Sequence, residues 1–193
     1  GETMPCCVGI GHTRWATHGK PTDINAHPHD NQDCTLAVVH NGIIENYQQL
    51  KQRLINRGYK FVSDTDTEVL VQLIDYYYKG NPLEAITKVL HRVEGSYALG
   101  ILFADHPEEI FAVRKDCPLI VGTSSEGSFI ASDVPAILKY TREVYYIDNQ
   151  EVVALKENEI HFYTVDEEEI QKTPSHVDWD AEAVAKGGYE HFM

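Results

Sequence analysis

The sequence lacks any long hydrophobic run and any excess of positive charge. No stretch approaches the roughly 20 apolar residues that a membrane-spanning helix requires, and residues 1–7 show neither the basic start nor the apolar core of a signal peptide. Lysine and arginine together number 16, against 30 aspartate and glutamate residues, which gives a formal net charge of −14. These absences argue against a membrane protein, and against nucleic acid as the main partner.

Cysteine is also scarce, with four residues in a chain of 193. The adjacent pair Cys6-Cys7 lacks the spacing of a metal or redox motif, and Cys34 and Cys117 are isolated. We therefore expect reduced thiols in a cytoplasmic protein, since nothing in the spacing supports a disulfide.

The chain has enough apolar residues, 42% of the total, to build the core of one domain. Apolar spacing predicts a helical block between Asn46 and Arg92, with strands before and after it. Strands combined with segregated helices are typical of an α+β layered sandwich. We place this domain at residues 1–179 and interpret residues 180–193 as a linker. The predicted strands are Val8–Gly11, Thr35–His40, Tyr59–Val62, Ser96–Ala104, Ile110–Arg114, Leu119–Gly122, Ser128–Ala131, Val144–Ile147, Val152–Lys156 and Ile160–Thr164.

One stretch, His12–Gly19, concentrates large polar side chains: a guanidinium, an indole, two hydroxyls and two imidazoles. It follows the predicted strand Val8–Gly11, so we interpret it as a loop that presents functional side chains. The planar guanidinium of Arg14 could bind a carboxylate through two parallel hydrogen bonds, with Thr17 and His18 adding contacts. In the alternative interpretation, Arg14 and its neighbours only hold the loop together.

Two further sites carry candidate chemistry. Asn41 and Gly42 could offer an amide and a backbone N–H to one developing oxyanion, although the dipeptide alone more often marks an ordinary hairpin turn. Asp66 lies in the Ser63–Glu68 cluster at the start of a predicted helix. One member of that cluster must cap the helix, and a spare carboxylate could hold a substrate ammonium.

The histidines raise the possibility of a metal site, because five of the ten lie within the first forty residues. His27-Pro28-His29-Asp30 places three ligand types close together. However, its spacing matches no helical pair, and no cysteine or carboxylate pattern completes a zinc site. We therefore predict no metal.

Several motifs together resemble the glutaminase domains of the glucosamine-6-phosphate synthase family, which are class II glutamine amidotransferases. The resemblance covers nearly the whole chain, and its motifs occur in the family's order and spacing. They are His12–Gly19, Asn25–His29, His40–Asn46, Ser63–Glu68, Gly95–Ala98, Phe129–Asp133 and Tyr189–Met193.

The resemblance implies a four-layer αββα sandwich of the N-terminal-nucleophile hydrolases. It implies that Arg14 binds the glutamine α-carboxylate and Asp66 the α-ammonium. Thr17 and His18 would lie in a loop closing over glutamine, with Trp15 at its hinge. Asn41 and Gly42 would form the oxyanion hole.

The same resemblance implies that glutamine hydrolysis supplies ammonia, without a cofactor, to fructose 6-phosphate bound by other domains of a homo-oligomer. The family's nucleophile is an N-terminal cysteine, and neither Cys6 nor Cys7 occupies that position. We therefore expect the stretch to be incomplete at its N-terminus and, as written, to hydrolyse no glutamine. Two alternatives stay open: the amidotransferase domain of another pathway, such as the phosphoribosylamine-forming enzyme or asparagine synthetase, or a non-catalytic amino-acid- or metal-binding module.

Overall fold

Two antiparallel sheets stack face to face, and helices cover the larger one. A computed structural model describes residues 7–13, 18–156 and 159–178. The larger sheet has seven strands in the order β1-β2-β3-β4-β8-β9-β10, and the smaller has four in the order β11-β7-β5-β6. The strands are β1 His29–Asp30, β2 Leu36–Ile44, β3 Gly95–Phe103, β4 Glu109–Lys115, β5 Ile120–Ser124, β6 Gly127–Ala131, β7 Glu143–Tyr146, β8 Val152–Lys156, β9 Glu159–Tyr163, β10 Glu169–Ile170 and β11 Ser175–His176.

Three α-helices lie on one face of the larger sheet: α1 Tyr47–Ile55, α2 Asp66–Tyr77 and α3 Pro82–Leu90. The alternating side chains of β3, β4 and β8 divide the core. Leu99, Val113 and Val152 pack toward the helices, whereas Ala98, Ala112 and Val153 pack toward the smaller sheet. This alternation follows from the two-residue repeat of a strand.

The layers confirm the predicted α+β sandwich class. In the described residues the order is helices, larger sheet and smaller sheet. On the outer face of the smaller sheet lies the short 3₁₀ helix Val134–Ala136, with Ile137 and Leu138 packed there against Ile120. The helical block predicted between Asn46 and Arg92 contains all three α-helices. The predicted linker, residues 180–193, lies outside the described residues.

Local capping sets where α2 begins. Thr65 is the N-cap, and its Oγ1 accepts a hydrogen bond from the Glu68 N–H at 3.2 Å. The Glu68 carboxylate in turn accepts from the N–H groups of Val62 (2.9 Å) and Ser63 (2.7 Å). Because Thr65 and Glu68 satisfy the helix start between them, Asp66 is free to interact with other elements.

Three local predictions are wrong. Asn41-Gly42 is no turn, because β2 runs through it and Gly42 pairs with Tyr97 of β3. Val8–Gly11 and Tyr59–Val62 are not strands in the described structure. Tyr59–Val62 instead leads into the start of α2, where the Glu68 carboxylate binds the Val62 N–H.

The side chain of Asn46, at the start of the predicted helical block, connects the segments beside β2 and β3. Asn46 immediately precedes α1, but its side chain makes no capping bond. Instead, its amide donates to the Arg92 carbonyl and accepts from the Glu94 N–H, at 2.8 and 3.1 Å. Asn46 thus fastens the end of β2 to the start of β3.

Among the described residues, no helix is long and apolar enough to cross a membrane.

Candidate active site

The buried carboxylate of Asp66 is the centre of the site. It is the first residue of α2 and is only 3% exposed. Its Oδ2 accepts the Ile44 N–H of β2 at 2.9 Å, and its Oδ1 lies 3.8 Å from His18 Nδ1. The positive end of the helix dipole also favours a carboxylate here. Asp66 is therefore held by β2 and faces a loop side chain that the sequence predicted to contact substrate.

His40 packs beside Asp66 on the helix-facing side of β2. Its Nδ1 lies 4.0 Å from Asp66 Oδ2 and 3.0 Å from Thr67 Oγ1. Burial lowers the pKa of His40 from its ordinary 6.5 to about 4, while the negative charge of Asp66 and the backbone of Ser96 act in the opposite direction. His12 and His18 lower the His40 pKa further. His40 is therefore neutral at physiological pH.

This shifted pKa predicts an acid-sensitive fold. Because the folded-state pKa of His40 lies below the unfolded value, the unfolded chain binds the proton first, and stability falls as the pH drops from 6.5 toward 4. Within that window His40 contributes a loss of about 1.4 kcal/mol for each pH unit. Urea unfolding of the wild type and of His40→Gln at several pH values measures it. Identical pH slopes for the two proteins would contradict the prediction.

Asn41 points to the other side of β2, toward the space between the sheets. His12 Nε2 donates to Asn41 Oδ1 at 2.6 Å, which leaves the Asn41 NH₂ group as the free donor end of the amide. His12 and Asn41 line a cavity of about 530 Å³, together with residues of β3 and β6. An amide fixed in this way can present its N–H groups to a ligand in the cavity.

Gly42 adopts a backbone conformation that only glycine tolerates easily. Its φ is +117°, and a Cβ at this position would lie 2.2 Å from the Ser96 carbonyl oxygen and 3.0 Å from Cys117 Sγ. The close approach of β3 therefore requires glycine next to Asn41.

A chain of imidazoles connects the two sides of β2. The His12 and His27 rings lie 4.7 Å apart, and His27 Nε2 lies 3.2 Å from Thr67 Oγ1, which also bonds His40. The structure thus places Asn41, His18 and Asp66 in one continuous polar cluster.

The remaining predicted site residues, Arg14, Trp15 and Thr17, lie outside the described residues. The segment that follows them is anchored by Asn25, which is buried. Its amide donates to the Lys20 carbonyl at 3.0 Å and accepts the Asp64 N–H at 3.0 Å. Gly19 packs so closely against Asn25 that a Cβ would lie 2.6 Å from Asn25 Nδ2. Asn25 therefore holds the loop against the start of α2.

Sequence reasoning weighed the histidines as metal ligands, predicted no metal, and did not identify their structural role. His27 and His29 contact the hydroxyls of Thr67 and Thr65, at 3.2 and 2.9 Å. Among the described residues, no group of three or more histidine, cysteine or acidic side chains could hold a metal ion. The one sequence signal for this role was that three of the motifs contain histidine: His12–Gly19, Asn25–His29 and His40–Asn46.

Comparisons with known proteins identify the family of this chain. A family profile described as a glutamine amidotransferase domain matches residues 12–139. A relative named glutamine–fructose-6-phosphate aminotransferase [isomerizing] from Clostridium acetobutylicum is 59% identical over 96% of this chain, and 31% of the relative is covered. Its namesake from Caldanaerobacter subterraneus is 58% identical over 100% of the chain, with 32% of that relative covered. The chain thus spans about a third of the length of these curated relatives.

Solved structures show the same fold. The glutamine phosphoribosylpyrophosphate amidotransferase from B. subtilis aligns with a TM-score of 0.67 and 27% identity, covering 80% of this chain and 34% of that one. A structure titled the allosteric regulatory enzyme of purine biosynthesis aligns with a TM-score of 0.70 and 26% identity, with the same coverage. The predicted fold class, that of N-terminal-nucleophile amidotransferases, is confirmed. The profile match over most of the chain, joined to this shared fold, shows that the chain belongs to the glutamine amidotransferase domain family.

Proposed function

We propose that this chain is the glutamine-hydrolysing domain of a glutamine–fructose-6-phosphate aminotransferase. Its ammonia would convert fructose 6-phosphate, held by other domains, to glucosamine 6-phosphate. The observation that carries the proposal is the polar cluster that links the Asn41 amide to the Asp66 carboxylate through His12, His27, Thr67 and His40. Identities of 58–59% to aminotransferases of that name favour this pathway over that of the phosphoribosylpyrophosphate amidotransferase, which is 27% identical.

The substrate roles follow from charge and position. Asp66 would bind the α-ammonium of glutamine, since its carboxylate is fixed on one side by Ile44 and faces His18 on the other. Arg14 would bind the α-carboxylate, with Thr17 and His18 beside it and Trp15 at the hinge of the loop. An acid and a guanidinium together would select a free amino acid, because it carries both an ammonium and a carboxylate.

In the full-length enzyme, the thiolate of an N-terminal cysteine would attack the amide carbon of glutamine, and the C=O π electrons would move to the oxygen. The Asn41 NH₂ and the Gly42 N–H would stabilise that oxyanion. Collapse of the tetrahedral intermediate would break the C–N bond and release ammonia after protonation of the leaving nitrogen. Water would then hydrolyse the glutamyl thioester to glutamate and regenerate the thiol.

This half-reaction needs no cofactor and no metal. We propose that the enzyme is cytoplasmic and homo-oligomeric, and that it uses neither nucleic acid nor a membrane as a partner. The acidic balance of the chain supports this choice, because a net charge of −14 repels polyanions.

Glutamate binding to this chain tests the two charged contacts. Asp66→Asn and Arg14→Ala are each expected to weaken binding about 10- to 100-fold, the usual worth of a hydrogen bond to a charged group. Titration calorimetry with glutamate measures the affinities.

Asp64→Asn provides a matched control. It makes the same charge change two residues away, at an exposed carboxylate, and should leave the affinity unchanged. Equal heats for the wild type and Arg14→Ala would contradict the assignment. A loss of affinity in Asp64→Asn equal to that in Asp66→Asn would contradict it as well.

A further inference from the structure

A second cavity lies at the opposite end of α2 from Asp66. It has a volume of about 170 Å³, and leucine side chains of α1 and α2 contribute its apolar lining. Three guanidinium groups and two phenol rings complete it, and we call it the arginine pocket: Arg53, Arg57, Arg92, Tyr76 and Tyr77. Tyr76 follows Asp66 by ten positions in α2, which is about 15 Å along the helix axis.

The charge of the arginine pocket is unusual for this chain. Acidic residues outnumber basic ones by 30 to 16, yet no carboxylate lines the pocket. Three lysines elsewhere in the described residues form ion pairs: Lys88 with Glu84, Lys156 with Glu108, and Lys172 with Asp148. In the described part of the chain, the three arginines of the pocket form no such ion pair.

One of the guanidiniums is already positioned. The Arg57 guanidinium lies over the Tyr76 ring, 5.0 Å from its centroid, and Nη1 donates to the Arg53 carbonyl at 3.3 Å. Tyr76 in turn packs edge-on against Tyr77, with centroids 5.0 Å apart. Stacking on an aromatic face orients a guanidinium while leaving its remaining N–H groups available to a ligand.

The negative ends of helix dipoles offset only part of the positive charge of the three arginines. Arg53 lies in the last turn of α1, Arg57 follows α1, and Arg92 follows α3, so each is close to a helix C-terminus. α2 also ends at the pocket, with Tyr76 and Tyr77 in its last turn. The C-terminal ends of the three helices therefore carry about −1.5 elementary charges in total. Three guanidiniums against those ends leave an excess of about +1.5, which matches the charge of a phosphate monoester near neutral pH.

We propose that the arginine pocket binds the phosphate group of a small phosphorylated metabolite. Guanidiniums match phosphate oxygens through paired hydrogen bonds, and the phenols of Tyr76 and Tyr77 supply further donors. The apolar lining would contact the carbon part of the ligand. A volume of 170 Å³ is below the roughly 300 Å³ at which drug-sized ligand pockets begin, so a whole nucleotide would not be enclosed. This site is independent of glutamine hydrolysis.

Calorimetric titration of the chain with inorganic phosphate and with glucose 6-phosphate, at constant ionic strength, tests the proposal. Both probes should bind saturably, and the sugar phosphate should bind more tightly because it also reaches the apolar lining. Arg57→Gln and Arg92→Gln should each weaken binding at least about tenfold. Both side chains are exposed, so either variant should fold, which circular dichroism would verify.

Lys139→Gln is the matched control. It removes one positive charge from an exposed side chain on the far side of the smaller sheet, and should leave both affinities unchanged. An equal loss of affinity in Lys139→Gln would show that binding depends only on the total charge of the chain, and would overturn the proposal. Absence of saturable phosphate binding, or binding of a polyglutamate peptide instead, would overturn it as well.

Discussion

Gly42→Ala is expected to lower the free energy of unfolding by about 4 kcal/mol. A φ of +117° strains any residue with a Cβ, at a cost of about 1–3 kcal/mol. The added methyl would also lie 2.2 Å from the Ser96 carbonyl oxygen, and forcing backbone apart adds about 1–3 kcal/mol. Urea unfolding of both proteins measures the difference.

Gly58→Ala separates strain from collision. Gly58 has a comparable φ of +94°, but nothing lies within 4 Å of the position its Cβ would take. This control should therefore lose only the strain contribution. If Gly58→Ala destabilises the chain as much as Gly42→Ala, the close approach of β3 is not what demands glycine next to Asn41.

Asn41→Ala is expected to reduce kcat for glutamine hydrolysis by about 100- to 1000-fold in the full-length enzyme, since removing one oxyanion donor has that effect elsewhere. The proposed contact forms only as charge develops on the oxygen, so KM should change little. Steady-state ammonia release measures both constants.

Asn56→Ala is the comparison variant, because Asn56 is exposed and lies beyond the end of α1. Its kinetics should match those of the wild type. A kcat for Asn41→Ala within about threefold of the wild type would remove Asn41 from the oxyanion hole. A rise in KM with unchanged kcat would make it a substrate-binding residue instead.

The sequence predicted the elements whose signals are local. α3 begins at Pro82 after the Asn81 cap, and α2 begins beside Thr65 within the predicted capping cluster. The turn predicted at Asn41-Gly42 is wrong because the positive φ of Gly42 accompanies a strand contact with Ser96, 54 residues later, and not a turn. No local pattern carries that information.

The sequence predicted which residues belong to the site, but not the contacts that join them. Motif resemblance selected Asp66 and Asn41, which the structure joins through imidazoles. The joining contacts are distant in sequence: His12 to Asn41 spans 29 positions, and His27 to Thr67 spans 40. Spacing alone therefore could not show that the histidines of the first forty residues bond amide and hydroxyl groups.

The nine-residue pairing of β2 with β3 has a consequence for how the site can fail. A Cβ on Gly42 would lie 2.2 Å from the Ser96 carbonyl oxygen, and a Cβ on Gly95 would lie 2.2 Å from the Ile43 carbonyl oxygen. A slip by one position would break this interlock and exchange the two faces of β2, so that His40 would turn toward the cavity and Asn41 toward α2. Damage to this strand pair should therefore have an all-or-none effect, in which each molecule keeps the complete site or loses it. Partial activity in a sample then reports the fraction of molecules that keep the site.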